Sequence, residues 1–463
     1  MQENALKIKI LAALIASFST QSVTQAAPVS QAFVETKIKD VKTQDKASGF
    51  VDGQNVSGLT RNWYSSERAT KDPIYKHFNS DGSKSSSHKR DNWVQSTIVD
   101  YSSGFTQGTV GFATQVAAYN DIALERNRAD VGGPNNRTLT DSTGNVEDQW
   151  SKMGLANIKA RTSSTTLTIG RQAVNTPVLA VYGNRALPSS FEGASLISDE
   201  FNNLSFQGGV FDRVSPRTEQ SQTSLRTKYE AHTTESNRLS LLGVDYKPSE
   251  ALSTSLYTSE LKDIWRQYYV GAKHSLGDRD ELSLNSVFGY YHTQDQGKAL
   301  LGDINNDAYS LALTAAHQAH SVTLAWQQVI GDEYFDVVSD SGANYLANYL
   351  YSDYNGPNEK SMRIGYDLNM GYYGLPGLTL NIYTARGWGI DGTHYTGTGY
   401  NVRNLDGEHH YEYGMGVGYT VQDGELKGSS LKALYWVHRA SANQIDGNLN
   451  ELRIITTVPF ELL

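Results

Sequence analysis

Tyr411-Glu412-Tyr413-Gly414-Met415-Gly416-Val417-Gly418-Tyr419-Thr420 decides the fold. Tyr411, Tyr413, Met415, Val417 and Tyr419 fall on one side of an extended chain; Glu412, three glycines and Thr420 fall on the other. That two-residue period is a β-strand with one apolar face. The same pattern recurs. Leu282, Leu284, Phe288 and Tyr290 oppose Ser283, Asn285, Val287 and Gly289. Tyr309, Leu311 and Leu313 oppose Ser310, Ala312 and Thr314, and Val322, Leu324 and Trp326 oppose Thr323, Ala325 and Gln327. Leu378, Leu380 and Ile382 oppose Thr379, Asn381 and Tyr383. The chain ends on a further one, with Leu452, Ile454, Val458, Phe460 and Leu462 against Arg453, Thr457 and Glu461.

The connections alternate in length. Short ones lie at Lys247–Glu250, Gly277–Asp280, His317–His320, Gly374–Gly377 and Asp423–Gly428. Long polar ones fall between, near 119–148, 212–236, 292–308, 331–360, 387–409 and 439–450. Tight turns at one end and long loops at the other describe a transmembrane antiparallel β-barrel of the bacterial outer membrane, which is all-β. A soluble sandwich has no reason to sort its loops by side. At about 24 residues per strand and connection, the chain accommodates about 18 strands. A last strand running to the terminus suits a barrel that closes by pairing last with first.

Composition agrees. Tyr is 28, Gly 41 and Pro 10, and Cys is 0, so no disulfide framework is available to an exported chain. Mean hydropathy is only −0.48, as expected when alternate residues face water. The acidic balance argues against nucleic acid as a partner. Residues 1–26 read as a Sec signal peptide, with Lys7 and Lys9 before the apolar run from Ile10 to Ile15 and Thr24-Gln25-Ala26 as cleavage site. Its removal takes away Lys7, Lys9 and Glu3 and moves the net charge from −9 to −10. Residues 27–463 are then expected to form a single barrel domain.

In a pore, inward ionisable residues set selectivity. Alternation points Arg363, Lys432 and Arg453 inward, while Arg61 lies where neither face is clearly apolar. Two readings stay open: these cations guide a carboxylate, or they pair with inward acids such as Asp367, Glu412 and Asp100 and line an unselective channel. His394, His409 and His410 fall in an expected loop, where solvated histidines are the ordinary reading and a metal site the alternative. No cofactor is expected. No nucleophile beside a base marks an enzyme. A barrel enzyme of lipase or protease type, which substrate assays would expose, and an adhesion barrel without conductance remain the other classes.

The chain also resembles a known family, the OprD (Occ) porins. The resemblance runs from Gly49 to the end. It is carried by Asp100–Phe112, by Gly170, Pro177-Val178 and Asn184–Gly193, by Leu261–Gln267, and by Gly331-Asp332 with Phe335-Asp336. Leu346-Ala347-Asn348, Asn358–Ser361, Gly374–Thr379, and Arg386-Gly387 with Ile390-Asp391 add to it. The resemblance implies an 18-stranded channel, narrowed by inward-folded third and seventh loops, with a basic ladder for substrate carboxylates. The matching ladder positions are Arg61, Arg363, Lys432 and Arg453. Leu434 and Tyr383 stand where relatives can carry further cations, so the ladder is thinner here. Asn184 follows Gly183 where the family's third-loop motif has an acid and a serine. The third loop would contribute Arg185, and the seventh Asp340 and Ser341 as an acidic counterpart for an amine. The expected partners are small carboxylate solutes and outer-membrane lipid, with the barrel a monomer or weak trimer.

Overall fold

The computed structural model describes residues 43–79, 81–133 and 136–463. The signal peptide expected at 1–26 lies outside the described residues. Eighteen strands form the wall. They are β1 (Asn55–Ala69), β2 (Lys89–Ser102), β3 (Gly111–Ala123), β4 (Gln149–Thr162), β5 (Thr165–Gln172) and β6 (Ser190–Phe201). Next come β7 (Leu204–Ser215), β8 (Leu239–Tyr246), β9 (Leu252–Leu261), β10 (Trp265–Asp278), β11 (Leu282–Asp295) and β12 (Asn305–His317). The ring is completed by β13 (His320–Ile330), β14 (Lys360–Asn369), β15 (Leu378–Ile390), β16 (Glu408–Thr420), β17 (Ser430–Ala440) and β18 (Leu449–Glu461).

Each strand pairs antiparallel with its sequence neighbours, and β18 pairs antiparallel with β1. The sheet therefore has no edge, which satisfies every ladder position in a medium without water. At the closure Phe460 stands opposite Gly58. A Cβ on Gly58 would come within 2.7 Å of the Phe460 ring, so this glycine makes room for the terminal aromatic.

The alternation is inverted relative to a soluble protein. Leu311, Leu313, Val322, Leu324, Ile364, Met415 and Val417 are exposed on the outer wall, where lipid would cover them. Ser310, Thr314, Ser321, Thr323 and Gln327 are buried on the inner side of the same strands. Two-residue turns at 163–164, 202–203 and 318–319 each carry a residue at positive φ, namely Ser163, Asn203 and Gln318. Such backbone matches the twist of a tight hairpin.

The long-loop end differs from expectation in two ways. The connection between β9 and β10 is only 262–264, inside a segment where the sequence pattern predicts no outer connection. The strands also run farther than expected, so His410, expected in a loop, belongs to β16 and is fully buried.

The third loop (173–189), fourth loop (216–238) and seventh loop (331–359) fold into the barrel. They cover an apolar core that includes Val178, Leu179, Phe211, Leu225, Phe335 and Val338. Inward side chains of the wall hold them there. Ser310 Oγ accepts from the Ala347 amide at 2.9 Å, and Gln327 Oε1 accepts from the Asn348 amide at 2.8 Å. Tyr291 Oη donates to the Pro177 carbonyl at 2.9 Å and accepts from the Tyr345 amide at 3.1 Å, which ties the third and seventh loops to β11.

Candidate functional site

The narrowing is built where the three loops meet. The Ala180 amide donates to Ser341 Oγ at 3.0 Å, the Gly342 amide to the Ala180 carbonyl at 2.9 Å, and Ser189 Oγ to the Asp340 carbonyl at 2.7 Å. The fourth loop joins through Lys228 N to Val337 O at 3.0 Å and Ser339 N to Arg226 O at 2.8 Å. Asp336 caps this seam, its Oδ1 accepting from the amides of Val337 at 2.7 Å, Lys228 at 3.1 Å and Tyr229 at 3.2 Å. Burial pushes the Asp336 carboxyl up to about 7, although those amides pull the other way. Ser341, an expected substrate contact, spends its hydroxyl on the amides of Ala180 and Ala343.

One strip of wall beside this narrowing is basic. Arg61 on β1 points inward and is buried, which resolves the direction the sequence left open. It stands opposite Thr457 of β18, Lys432 of β17 stands opposite Ile455, and Arg453 is two positions farther along β18. The three cations therefore occupy three successive inward levels, each about 7 Å apart along the strand. Arg61 Nε donates to Thr457 Oγ1 at 3.1 Å, and its Nη1 donates to the Arg185 carbonyl at 3.2 Å. The third loop thus delivers Arg185 onto the strip. The guanidinium of Arg185 lies 5.5 Å from the centre of the Trp63 ring, and that of Arg453 5.4 Å from the same ring.

Arg363 is set apart. It lies on β14, with β15 and β16 between it and Lys432. It faces inward and is buried, and its Nε and Nη2 have no hydrogen-bond partner among the described residues.

The acids sort differently from expectation. Among the described residues, Asp100, Asp367 and Glu412 form no ion pair. Asp100 accepts from Gln115 Nε2 at 2.9 Å. Glu412 accepts from the Tyr383 hydroxyl and from the amides of Tyr351 at 3.2 Å and Ser352 at 3.0 Å, so it anchors the seventh loop. The paired acids are others. Asp340 lies 3.4 Å from Arg217 Nε, Asp353 2.5 Å from Lys228 Nζ and Glu451 2.7 Å from Arg453 Nη2, while Glu67 pairs with Arg90. Arg217 also lies 3.9 Å from the Tyr182 ring.

By contrast, Lys432 and the guanidinium of Arg185 form no hydrogen bond or ion pair among the described residues, and both are only half-buried. Burial, with the like charges of Arg217, Arg90 and Arg453 adding to it, draws the Arg185 guanidinium down to about 10 against the pull of Glu67. It remains cationic at neutral pH, and its charge is one that an anion would relieve.

Arg217, Lys228 and Asp353 escaped the sequence reading because loops carry no periodicity. The Glu451–Arg453 pair was accessible to it, since two residues apart on a strand share a face. Glu67 and Arg90 needed the register that places them opposite each other.

Comparison with known proteins agrees with the barrel fold. Residues 48–462 match the family described as outer membrane porin, OprD family. Porin D of Pseudomonas aeruginosa is 37% identical over 437 residues, covering 91% of this chain and 94% of that protein. The crystal structure of Pseudomonas aeruginosa OccD3 (OpdP) is 44% identical with a TM-score of 0.80, covering 91% of this chain and 94% of that one. Pseudomonas aeruginosa OccK2 (OpdF), solved in complex with glucuronate, is 26% identical with a TM-score of 0.75, covering 90% and 100%. By family match, identity and fold, this chain belongs to the OprD family of outer-membrane porins.

Proposed function

We propose that this porin passes small carboxylate-bearing solutes, which descend the strip formed by Arg453, Lys432 and Arg61 beside Arg185. The observation that carries this reading is the imbalance at the narrowing. Asp340, Asp353, Glu451 and Glu67 are each paired with a cation, whereas Lys432 and Arg185 have no such partner among the described residues. At Lys432 and Arg185 the unspent charge is positive, so an anion gains there and a neutral solute does not.

The magnitudes suit transit. A charge pair at 4 Å is worth about 1 kcal/mol in water and about 4 kcal/mol at an effective dielectric of 20. A wet pore lies between, strong enough to guide a solute and weak enough to release it. The glucuronate complex of a relative supports a carboxylate as the recognised group. Asp340 is engaged by Arg217, which leaves it poorly placed to hold an amine. The reading therefore rests on the carboxylate end of any solute, amino acids included. Arg363, apart on β14, would serve as a separate contact on the neighbouring wall.

Liposome swelling with purified protein tests this directly. Organic acids and amino acids should enter faster than neutral sugars of the same size. Equal rates across that panel would overturn the proposal while leaving the channel itself intact.

A further inference from the structure

At the long-loop end, away from the basic strip, four side chains from separate elements converge. His410 lies near the start of β16, His438 near the end of β17, Asp446 is on the ninth loop (441–448), and Glu359 closes the seventh loop. Both imidazoles are fully buried. His410 Nδ1 and His438 Nε2 face each other at 2.9 Å, and an Asp446 carboxylate oxygen lies within 4.8 Å of both.

The outer nitrogens of both rings are already committed. His410 Nε2 sits 2.6 Å from Glu359 Oε1, whose other oxygen accepts from the Gly356 amide at 2.8 Å. His438 Nδ1 sits 2.7 Å from the Gly447 carbonyl, which can only accept. Each ring therefore donates outward, and each turns a lone pair toward the other. Two lone pairs at that distance repel unless a cation or a shared proton stands between them. A distal N–H held by a carboxylate or a backbone carbonyl is also the support that metal-ligating histidines use. The Tyr354 ring stacks on His410 at 4.3 Å and fixes its plane.

We propose that His410 Nδ1, His438 Nε2 and the Asp446 carboxylate form a site for a divalent first-row transition ion, with Zn2+ the best match. Two imidazoles and one carboxylate are a common three-ligand set for zinc, with water as the fourth. Zinc–nitrogen bonds of about 2.0–2.1 Å in a tetrahedral site would separate the two nitrogens by about 3.3 Å, so the rings need part by only a few tenths of an ångström. A cavity of about 10 Å³ adjoins the cluster, lined by Ser352, Glu359 and Gln444 among others, and is large enough for about one water. Ser352 Oγ holds Asp446 Oδ2 at 2.5 Å, which orients that carboxylate. Glu412, opposite His438 in the register, places a further carboxyl nearby. A bound ion would fasten the ninth loop, and through Glu359 the seventh, to the rim of the wall.

The test uses the full barrel in detergent, purified without a polyhistidine tag and stripped with chelator. Calorimetry with Zn2+ should show one ion per chain, and Co2+ should develop the visible absorption of a tetrahedral site. His410→Asn with His438→Gln should abolish both signals, and Asp446→Asn should weaken binding. Glu359→Gln, which removes the carboxylate that supports His410 but none of the three ligands, should weaken it about 10- to 100-fold. His394→Asn with His409→Asn, both exposed, should change nothing. Should the double histidine variant fail to fold, as judged by heat-modifiable gel mobility, Asp446→Asn on the loop carries the test. Stripped protein that takes up no Zn2+, or variants that bind as the parent does, would overturn the site and leave a shared proton between the rings.

Discussion

The strip on β17, β18 and β1 and the seam between the third, fourth and seventh loops are both rich in charge, yet they use it differently. In the seam the cations are neutralised. Arg217 meets Asp340 and stacks on Tyr182, and Lys228 meets Asp353. On the strip, Arg453 meets Glu451, but Lys432 and the third loop's Arg185 keep their charge unspent. Charge that is paired builds the shape of the opening. Charge left over is, on the proposed reading, what selects the solute.

Removing the unspent charge should have the largest effect. Lys432→Ala with Arg185→Ala should cut the uptake ratio of carboxylate to neutral sugar by up to about tenfold, the worth of about 1.4 kcal/mol. Liposome swelling with the two solute types measures it, and an equal fall for both would erase the distinction between strip and seam. Ser341→Ala comes next. It leaves the amides of Ala180 and Ala343 without their acceptor, at a cost of about 1–3 kcal/mol to the joint between third and seventh loops. Single-channel conductance should rise, with carboxylate and sugar gaining alike; unchanged conductance would show that this joint does not set the opening.

Asp340→Asn sharpens the contrast by turning a paired cation into a spare one. Carboxylate uptake should increase by less than about fivefold, equivalent to under about 1 kcal/mol, with sugar unaffected. A fall in carboxylate uptake would instead assign Asp340 a direct role in binding. The smallest effect concerns pH. The Asp336 carboxyl is raised to about 7 in the folded seam, so the unfolded segment binds fewer protons between about 4 and 7. Its contribution is therefore complete below about pH 4 and lost as pH rises through about 7. Hydrogen exchange at the Tyr229 amide, corrected for its intrinsic rate, should speed up across that range, and Asp336→Asn should flatten the profile. Matching profiles in the two proteins would remove Asp336 from the account.

The wall was readable wherever outward residues are apolar and inward ones small or polar, as in β12, β13 and β16. It was unreadable in β1, for a reason the structure supplies. Trp63 faces inward yet is fully buried, because the guanidinium groups of Arg185 and Arg453 cover it. Where loops fill the lumen, an inward residue meets protein and need not be polar, so alternation loses its contrast beside Arg61. The same filling hides the seam, whose partners lie far apart in sequence, as with Ser189 and Asp340. His410 was misplaced because the strand continues past its apolar stretch into the rim, where hydrogen bonding extends it without a hydrophobic signal.

The join between β18 and β1 carries a further meaning. Arg61 reaches Thr457 across almost the whole chain, and Arg453 and Lys432 lie on the side of that join made last. Lys432 and Arg453 come from one hairpin, but Arg61 joins their row only across this closure. The row is completed when the two ends of the polypeptide are zipped together, so on the proposed reading discrimination between solutes waits on the completion of assembly. On that reading, a ring that stays open has only part of its sieve.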